Sequence, residues 1–341
     1  MRSLLKPAAG LVCLVALACA GCSSGGNAGS GAMTSEPSGT ASSPAQSESS
    51  STSYTPYVSA TDASATDSAG SPTAYNLAFV ISDGSDCTPT WNGTDAIDDS
   101  AVKSRISALT ESGADVRVSF GGASGKELAE TCDSASALAA AYGAALDAAG
   151  SNQADFDIEG DALTDSASVA LRSEAIALLQ KERTGLQVSF TLPVMPSGLD
   201  ADSLALLESA NDNSVAVSTV NIMTMNYGSS YDGDMGDYAI TSAKAAHTQL
   251  ADVFGLSSED AWHGLALTSM IGVNDVADET FTLSDAAQVR TFAAEQGVAW
   301  VSLWSTFRDQ QCEDDSANDD AATDCSGVEQ SAGAFAKALA G

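Results

Sequence analysis

Apolar residues along the chain gather into short runs rich in β-branched and aromatic side chains. They begin near Tyr54 (YTPYV), Tyr75 (YNLAFVIS), Val116 (VRVSFGG), Ala154 (ADFDIEG), Gln187 (QVSFTLPV), Val220 (VNIMTMNYG), Gly264 (GLALTSMIG) and Val298 (VAWVSLWS). Each has the length of a buried strand. After the first short step they start roughly 33 to 44 residues apart, the spacing of a βα repeat. Ala-rich stretches such as 134–149, 166–181 and 283–296 lie between them and read as amphipathic helices. Leu138, Tyr142 and Leu146 recur at four-residue steps, as one buried helical stripe does. Eight strands alternating with helices predict an α/β fold, a (β/α)8 TIM barrel of parallel strands wrapped by helices. A doubly wound open sheet is the alternative, weakened by the eight strands and by the lack of a Gly-rich dinucleotide turn.

The first 51 residues break this pattern. Arg2 and Lys6 precede a short apolar run, 11–18, and then Cys19-Ala20-Gly21-Cys22. The run is too short to span a bilayer comfortably and reads as a cleaved export signal, 1–21. Small residues before a cysteine resemble a bacterial lipobox, which predicts lipidation of Cys22 and a lipid anchor on the outer face of the cytoplasmic membrane. Residues 22–51 are Ser, Gly, Thr, Ala and Pro with almost no large apolar side chain, a flexible tether. The folded domain is expected over 52–341.

Composition narrows the partners. Without Arg2 and Lys6 there remain 11 basic against 45 acidic side chains, a balance of −34. Such a surface repels nucleic acid and anionic headgroups and suits a neutral or cationic substrate. Four cysteines follow Cys22, and an even number in an exported chain favours disulfides. Of the three possible pairings, Cys87–Cys132 would join two loops of the N-terminal half and Cys312–Cys325 would close a short acidic loop. Metal ligation is the rival, but none of these four cysteines has CxxC spacing and the histidines are His247 and His263 alone. No metal or cofactor is called for.

The fourth strand carries the chemistry. Asp155, Asp157 and Glu159 alternate with Phe156 and Ile158, so the period of two puts three acids on one face. Confined together they cannot all ionise, and at least one must hold its proton toward neutrality, as general acid catalysis requires. Acids are common enough here for such spacing to arise by chance about once, so the pattern alone is weak.

Further motifs strengthen it. Residues 152–159 resemble the DxxDxDxE signature of glycoside hydrolase family 18, the chitinases and related endo-N-acetylglucosaminidases, with Asn152 in place of the first Asp. Ser119-Phe120-Gly121-Gly122 resembles that family's SxGG motif on the third strand, Met225-Asn226-Tyr227 its MxY motif on the sixth, and Trp304 its tryptophan on the eighth. The resemblance runs from about Tyr54 to the C-terminus. It implies a retaining, substrate-assisted endo-hydrolase of β-1,4-linked N-acetylglucosamine glycans. Glu159 would protonate the glycosidic oxygen while the substrate's acetamido oxygen attacks the anomeric carbon. Asp157 would hold that acetamido group, Asp155 would share a proton with Asp157, and Tyr227 would donate to the intermediate. Trp304 would floor the sugar site, with Gly121, Met225, Asn226, Met195 and Asn274 as further substrate contacts. An alternative register places Met223-Thr224-Met225-Asn226 in the sixth-strand motif and leaves no tyrosine in the tyrosine slot. Residues 223, 225 and 227 share parity, so either register faces inward.

Two other functions stay open on the same barrel: an endo-β-N-acetylglucosaminidase of N-glycan cores, and a non-catalytic carbohydrate-binding lipoprotein. The intact Glu159 with both aspartates favours an enzyme, acting as a monomer.

Overall fold

The computed structural model describes residues 52–313 and 324–341. The signal, the tether and Cys22 lie outside the described residues. The folded unit opens with two short strands, β1 (Ser53–Tyr54) and β2 (Tyr57–Ser59), separated by Pro56. There follow β3 (Ala74–Ser82), the hairpin β4 (Pro89–Trp91) and β5 (Asp95–Ala96), α1 (Ser100–Thr110), β6 (Asp115–Gly121), α2 (Ala135–Ala149) and β7 (Gln153–Asp157). Next come α3 (Asp161–Thr164), α4 (Ser166–Glu182), β8 (Gln187–Pro193), α5 (Ala201–Asp212), β9 (Val217–Met223), α6 (Met235–Phe254) and α7 (Ser258–His263). The chain ends with β10 (Leu265–Met270), the small hairpin β11 (Gly272–Val273) and β12 (Thr280–Phe281), α8 (Leu283–Gln296), β13 (Trp300–Trp304) and α9 (Ala334–Ala340).

All eight expected strands form; seven lie parallel in the order β13-β10-β9-β8-β7-β6-β3, and the eighth is the segment 53–59. The segment 53–59 touches both ends of this row. β1 pairs with β13 through Ser53–Trp300 and Tyr54–Val301, and β2 pairs with β3 through Tyr57–Asn76, Val58–Leu77 and Ser59–Ala78. Pro56 stands at the switch, where its missing N–H costs no ladder bond, and its carbonyl accepts from Asn76 N–H. The sequence reading missed the β4–β5 and β11–β12 hairpins, whose strands of two or three residues are too short for any periodicity to register.

Local chemistry starts and stops the helices. Asp99, Ser134, Asp165, Asp200, Asp234, Ser257 and Thr282 each stand before a helix and accept a first-turn N–H, which satisfies donors the helix cannot. Gly150, Gly255 and Gly297 end α2, α6 and α8 in the left-handed conformation, the arrangement glycine allows without strain.

Register then sorts the two faces of the sheet. Phe120, Phe156 and Phe190 stand side by side on β6, β7 and β8. Phe120 and Phe156 stack at 5.3 Å, and Tyr142 of α2 meets both rings edge-on. This row is the outer, apolar layer against the helices, each ring contributing about 1.5–3 kcal/mol by burial. The residues one step along the same strands therefore face the other way: Ser119–Asp155–Ser189 in one layer and Gly121–Asp157–Thr191–Asn221 in the next. The aromatic layer outside aims the acids inside.

Two disulfides are present, Cys87–Cys132 across 45 residues and Cys312–Cys325 across 13. Loop-closure entropy makes the longer loop worth about 4 kcal/mol and the shorter about 3 kcal/mol. Replacing Cys87 and Cys132 by Ser is accordingly expected to lower the melting temperature more than replacing Cys312 and Cys325; differential scanning calorimetry of the two double variants checks the order.

Candidate active site

Asp155 sits deepest, 1 % exposed. A buried carboxylate without partners costs several kcal/mol. Here four hydroxyls meet it. Tyr57 Oη donates to Oδ2 at 2.9 Å and Ser119 Oγ at 2.7 Å, while Ser189 Oγ donates to Oδ1 at 2.6 Å and Thr191 Oγ1 at 2.9 Å. At about 1.5–3 kcal/mol for each bond to a charged acceptor, the four together offset the penalty. Behind them Asn221 Nδ2 donates to Thr191 Oγ1 at 3.0 Å and bonds Thr268 at 2.8 Å. Arg117, buried in the layer below, stacks over Trp300 at 4.1 Å and donates to Asn76 and Gln153, and its charge favours Asp155.

Asp157 is one layer higher and has a different environment. It is 5 % exposed, and its Oδ1 has no hydrogen-bond partner. Burial, then the negative charges of Glu159 and Asp155, push its pKa well above the usual carboxylate range. Hydroxyls occupy both oxygens of Asp155, and its negative charge couples it to Asp157. Glu159 follows the strand, half-buried at the cleft wall, and its pKa is also raised, by burial first and then by Asp275. The three acids thus form a graded column: an acceptor saturated by hydroxyls, a protonatable acid with a free oxygen, and an accessible acid.

The column ends in a cleft of about 590 Å³, within the range of small-ligand sites. Asp157, Glu159, Trp304, Met195, Met225 and Asn226 line it, as the sequence led one to expect. Trp304 belongs to an aromatic cluster: Phe79 stacks on it at 5.5 Å and 26°, and Tyr57 meets it edge-on at 5.7 Å. The two motif glycines explain themselves by distance. A Cβ on Gly121 (φ +97°) would meet the Asp157 carbonyl oxygen at 2.2 Å, and one on Gly122 (φ +91°) would meet the Phe79 ring at 2.9 Å. They let β6 approach β7 and the aromatic floor.

Three expected contacts are corrected. Tyr227 does not line the cleft. Its hydroxyl accepts from Ser242 Oγ of α6 at 3.3 Å, and its ring is buried against Tyr231 and Tyr238. The parity argument fails because β9 ends at Met223 and Asn226 takes φ +55°, which turns the next side chain away. The register 223–226, with Met225 in the tyrosine slot, fits the cleft. Asn274 is 2 % exposed and folds back, donating to the Met270 and Gly272 carbonyls at 2.9 and 3.0 Å; its neighbour Asp275 lines the cleft instead. Gly121 is packed against the backbone of Asp157 and lies behind the wall.

Sequence reasoning missed Asn92, Thr191, Asp200 and Thr268 as lining residues. Thr191 shares the inward parity of Ser189 on β8, so that signal was available. Asn92 and Asp200 lie on turns, where no periodicity applies. Trp91 at the end of β4 belongs to the core, fully buried with its indole N–H on the Ile97 carbonyl.

No protein-family model matches the chain. It is 35 % identical over 277 residues to a probable bifunctional chitinase/lysozyme of Escherichia coli K12, covering 75 % of this chain and 31 % of that protein. It is 34 % identical over 250 residues to endochitinase 11 of Metarhizium anisopliae, covering 69 % of this chain and 47 % of that protein. The chain therefore spans about a third to a half of the length of these curated relatives. Among solved structures, active domain 2 of the thermostable chitinase of Pyrococcus furiosus, as a catalytic-site mutant complexed with chito-oligosaccharides, superimposes with a TM-score of 0.74 at 27 % identity. That match covers 84 % of this chain and 92 % of the solved one. These likenesses support a chitinase-like family of the glycoside hydrolase 18 type and a parallel α/β fold like its catalytic domains.

The raised pKa values have a consequence for stability. A buried acid whose folded pKa lies above its unfolded one holds a proton the unfolded chain has released, so stability falls as pH rises from the ordinary carboxylate range through the folded pKa. Asp157→Asn removes one such acid. Its melting temperature is expected to exceed that of the wild type at pH 8, the gap closing toward pH 4; thermal melts of both proteins across that range check the sign.

Proposed function

We propose that the domain is a retaining, substrate-assisted endo-hydrolase of β-1,4-linked N-acetylglucosamine glycans, built over residues 52–341 on a (β/α)8 barrel. The pairing of segment 53–59 with both β13 and β3 supports closure of that barrel. The observation that carries the chemistry is Asp157: buried, raised in pKa, lining the cleft, and with one oxygen left without a partner, one step below Glu159. A carboxyl at that wall suits the N–H of a 2-acetamido group and would orient its carbonyl toward the anomeric carbon. Glu159, kept protonated toward neutrality, delivers its proton to the glycosidic oxygen. As the bond breaks, the acetamido oxygen closes on the anomeric carbon, and the cationic ring that forms keeps its proton on nitrogen, hydrogen-bonded to Asp157. Glu159, now a carboxylate, then draws a proton from the water that opens the ring, which restores the acid. Asp155 holds Asp157 from below by charge and takes no part in bond making. Trp304 and Phe79 offer an apolar surface to the sugar's C–H face. Tyr227 has no role in this scheme.

The chitinase names of the relatives and the chito-oligosaccharides of the solved structure favour chitin-type glycans over N-glycan cores. The catalytic residues would serve either substrate. A carbohydrate-binding protein without catalysis is disfavoured by the intact acid column.

The chain is further proposed to be an exported lipoprotein, signal 1–21, acylated at Cys22 and tethered by 22–51, working at the cell surface as a monomer. The charged residues before the short apolar run and the small residues before Cys22 support this reading.

Release of 4-nitrophenol from 4-nitrophenyl N,N′-diacetylchitobioside tests the assignment. Glu159→Gln is expected to lower turnover by about 10³-fold or more while retaining oligosaccharide binding; wild-type rates in that variant would reject the acid. Tyr227→Phe is expected to stay within about threefold of wild type, since its hydroxyl faces α6, and a loss of 10²-fold would return Tyr227 to the reaction.

A further inference from the structure

Several buried acids lie outside the catalytic column, and one of them, Glu279, is tied to the cleft-lining loops. Glu279 is 1 % exposed and sits at the end of the turn 273–280, which is pinned by Asn274 N–H on the Glu279 carbonyl at 3.0 Å and by Glu279 N–H on the Val276 carbonyl. Its Oε1 accepts the Gly228 N–H at 2.7 Å, and the N–H groups of Tyr227 and Asn226 also turn toward the carboxylate. The Gly228 bond ties the carboxyl to the loop after β9, Oε2 has no partner, and the loop reaches the acid through positive φ at Asn226 (+55°) and Gly228 (+110°).

The contact is returned from the other side. Asn226 Oδ1 accepts the N–H groups of Asp275 and Val276 at 3.1 and 3.3 Å, and Asn226 Nδ2 donates to Asp275 Oδ2 at 3.1 Å. The loop after β9 and the loop after β10 are thus interlocked twice, by Glu279 from one loop and Asn226 from the other. Met225, Asn226 and Asp275 all line the cleft, and Asp275 is the charge that Glu159 senses. An Asn at positive φ is strained and needs such support to persist.

We infer that Glu279 is a positioning residue, which acts through Asn226 to hold the two loops in the form that makes this wall of the glycan cleft. The inference rests on the reading of the cleft as a glycan site. Glu279 touches no reacting atom. Without its carboxyl the bond to Gly228 N–H is lost, Asn226 relaxes, and Met225 and Asp275 lose their fixed places.

A double-mutant cycle on the full chain tests it, with turnover of 4-nitrophenyl N,N′-diacetylchitobioside and thermal melting measured for the wild type, Glu279→Gln, Asn226→Ala and the double variant. Each single change is expected to lower kcat/KM about tenfold, and the double variant to stay within about twofold of the weaker single, because both remove one clamp. Losses that multiply would overturn the proposal, as would a Glu279→Gln protein that melts earlier but keeps wild-type kcat and KM, the mark of a merely structural role. Glu279→Asp keeps the charge but withdraws it from Gly228, and completes the same cycle if Glu279→Gln does not fold. A wild type that neither turns over the substrate nor binds chitotetraose would reject the functional reading itself, and the positioning role with it.

Discussion

The carboxylate of Asp155 takes four hydroxyl hydrogen bonds at the centre of the sheet, and the geometry around it follows from satisfying that buried anion. The donors come from β2, β6 and β8, with Asn221 of β9 and Thr268 of β10 bracing them from behind. A slip of one residue in any of these strands would replace a hydroxyl by an aromatic or aliphatic side chain, because inward and outward faces alternate. Register is therefore fixed twice over, by the Phe120–Phe156–Phe190 row outside and by the hydroxyl ring inside. Both together aim Asp157 and Glu159 upward.

Environment then divides three like acids into three roles. Saturation with donors makes Asp155 an acceptor on all sides. Burial with an unbonded oxygen makes Asp157 hold a proton. Partial exposure beside Asp275 leaves Glu159 raised but reachable. Keeping an unpaired polar atom inside the fold destabilises it, and such an atom survives where function demands it. The aromatic cluster of Tyr57, Phe79 and Trp304 links the layers, since Tyr57 gives its hydroxyl to Asp155 and its ring edge to Trp304.

Much of this was legible in the chain. The strands showed because each is a compact apolar run set off by helix-forming Ala-rich stretches, and the acid column showed because alternation survives over 153–157. Legibility stopped where regular structure stopped. Beyond Met223 the backbone leaves the ladder, and a single residue with positive φ, Asn226, sends Tyr227 to α6 and leaves Met225 in the cleft. The same limit separates Asn274 from Asp275: both follow a strand end, and only the backbone decides that one folds inward while the other faces the site. Glu279 carries no sequence signal, one acid among 45. Its meaning comes from the peptide N–H of Gly228, 51 residues earlier.

Substrate assistance, with Asp157 orienting the acetamido group under Glu159, is the claim on which the account turns. It is tested most directly by the anomeric form of the first product. Proton NMR of chitotetraose recorded in the first minutes of hydrolysis, before mutarotation, reads the new reducing end. The account predicts the β-anomer, because the acetamido oxygen and then water attack in succession from opposite faces. An initial excess of the α-anomer would mean direct attack by water and would contradict it.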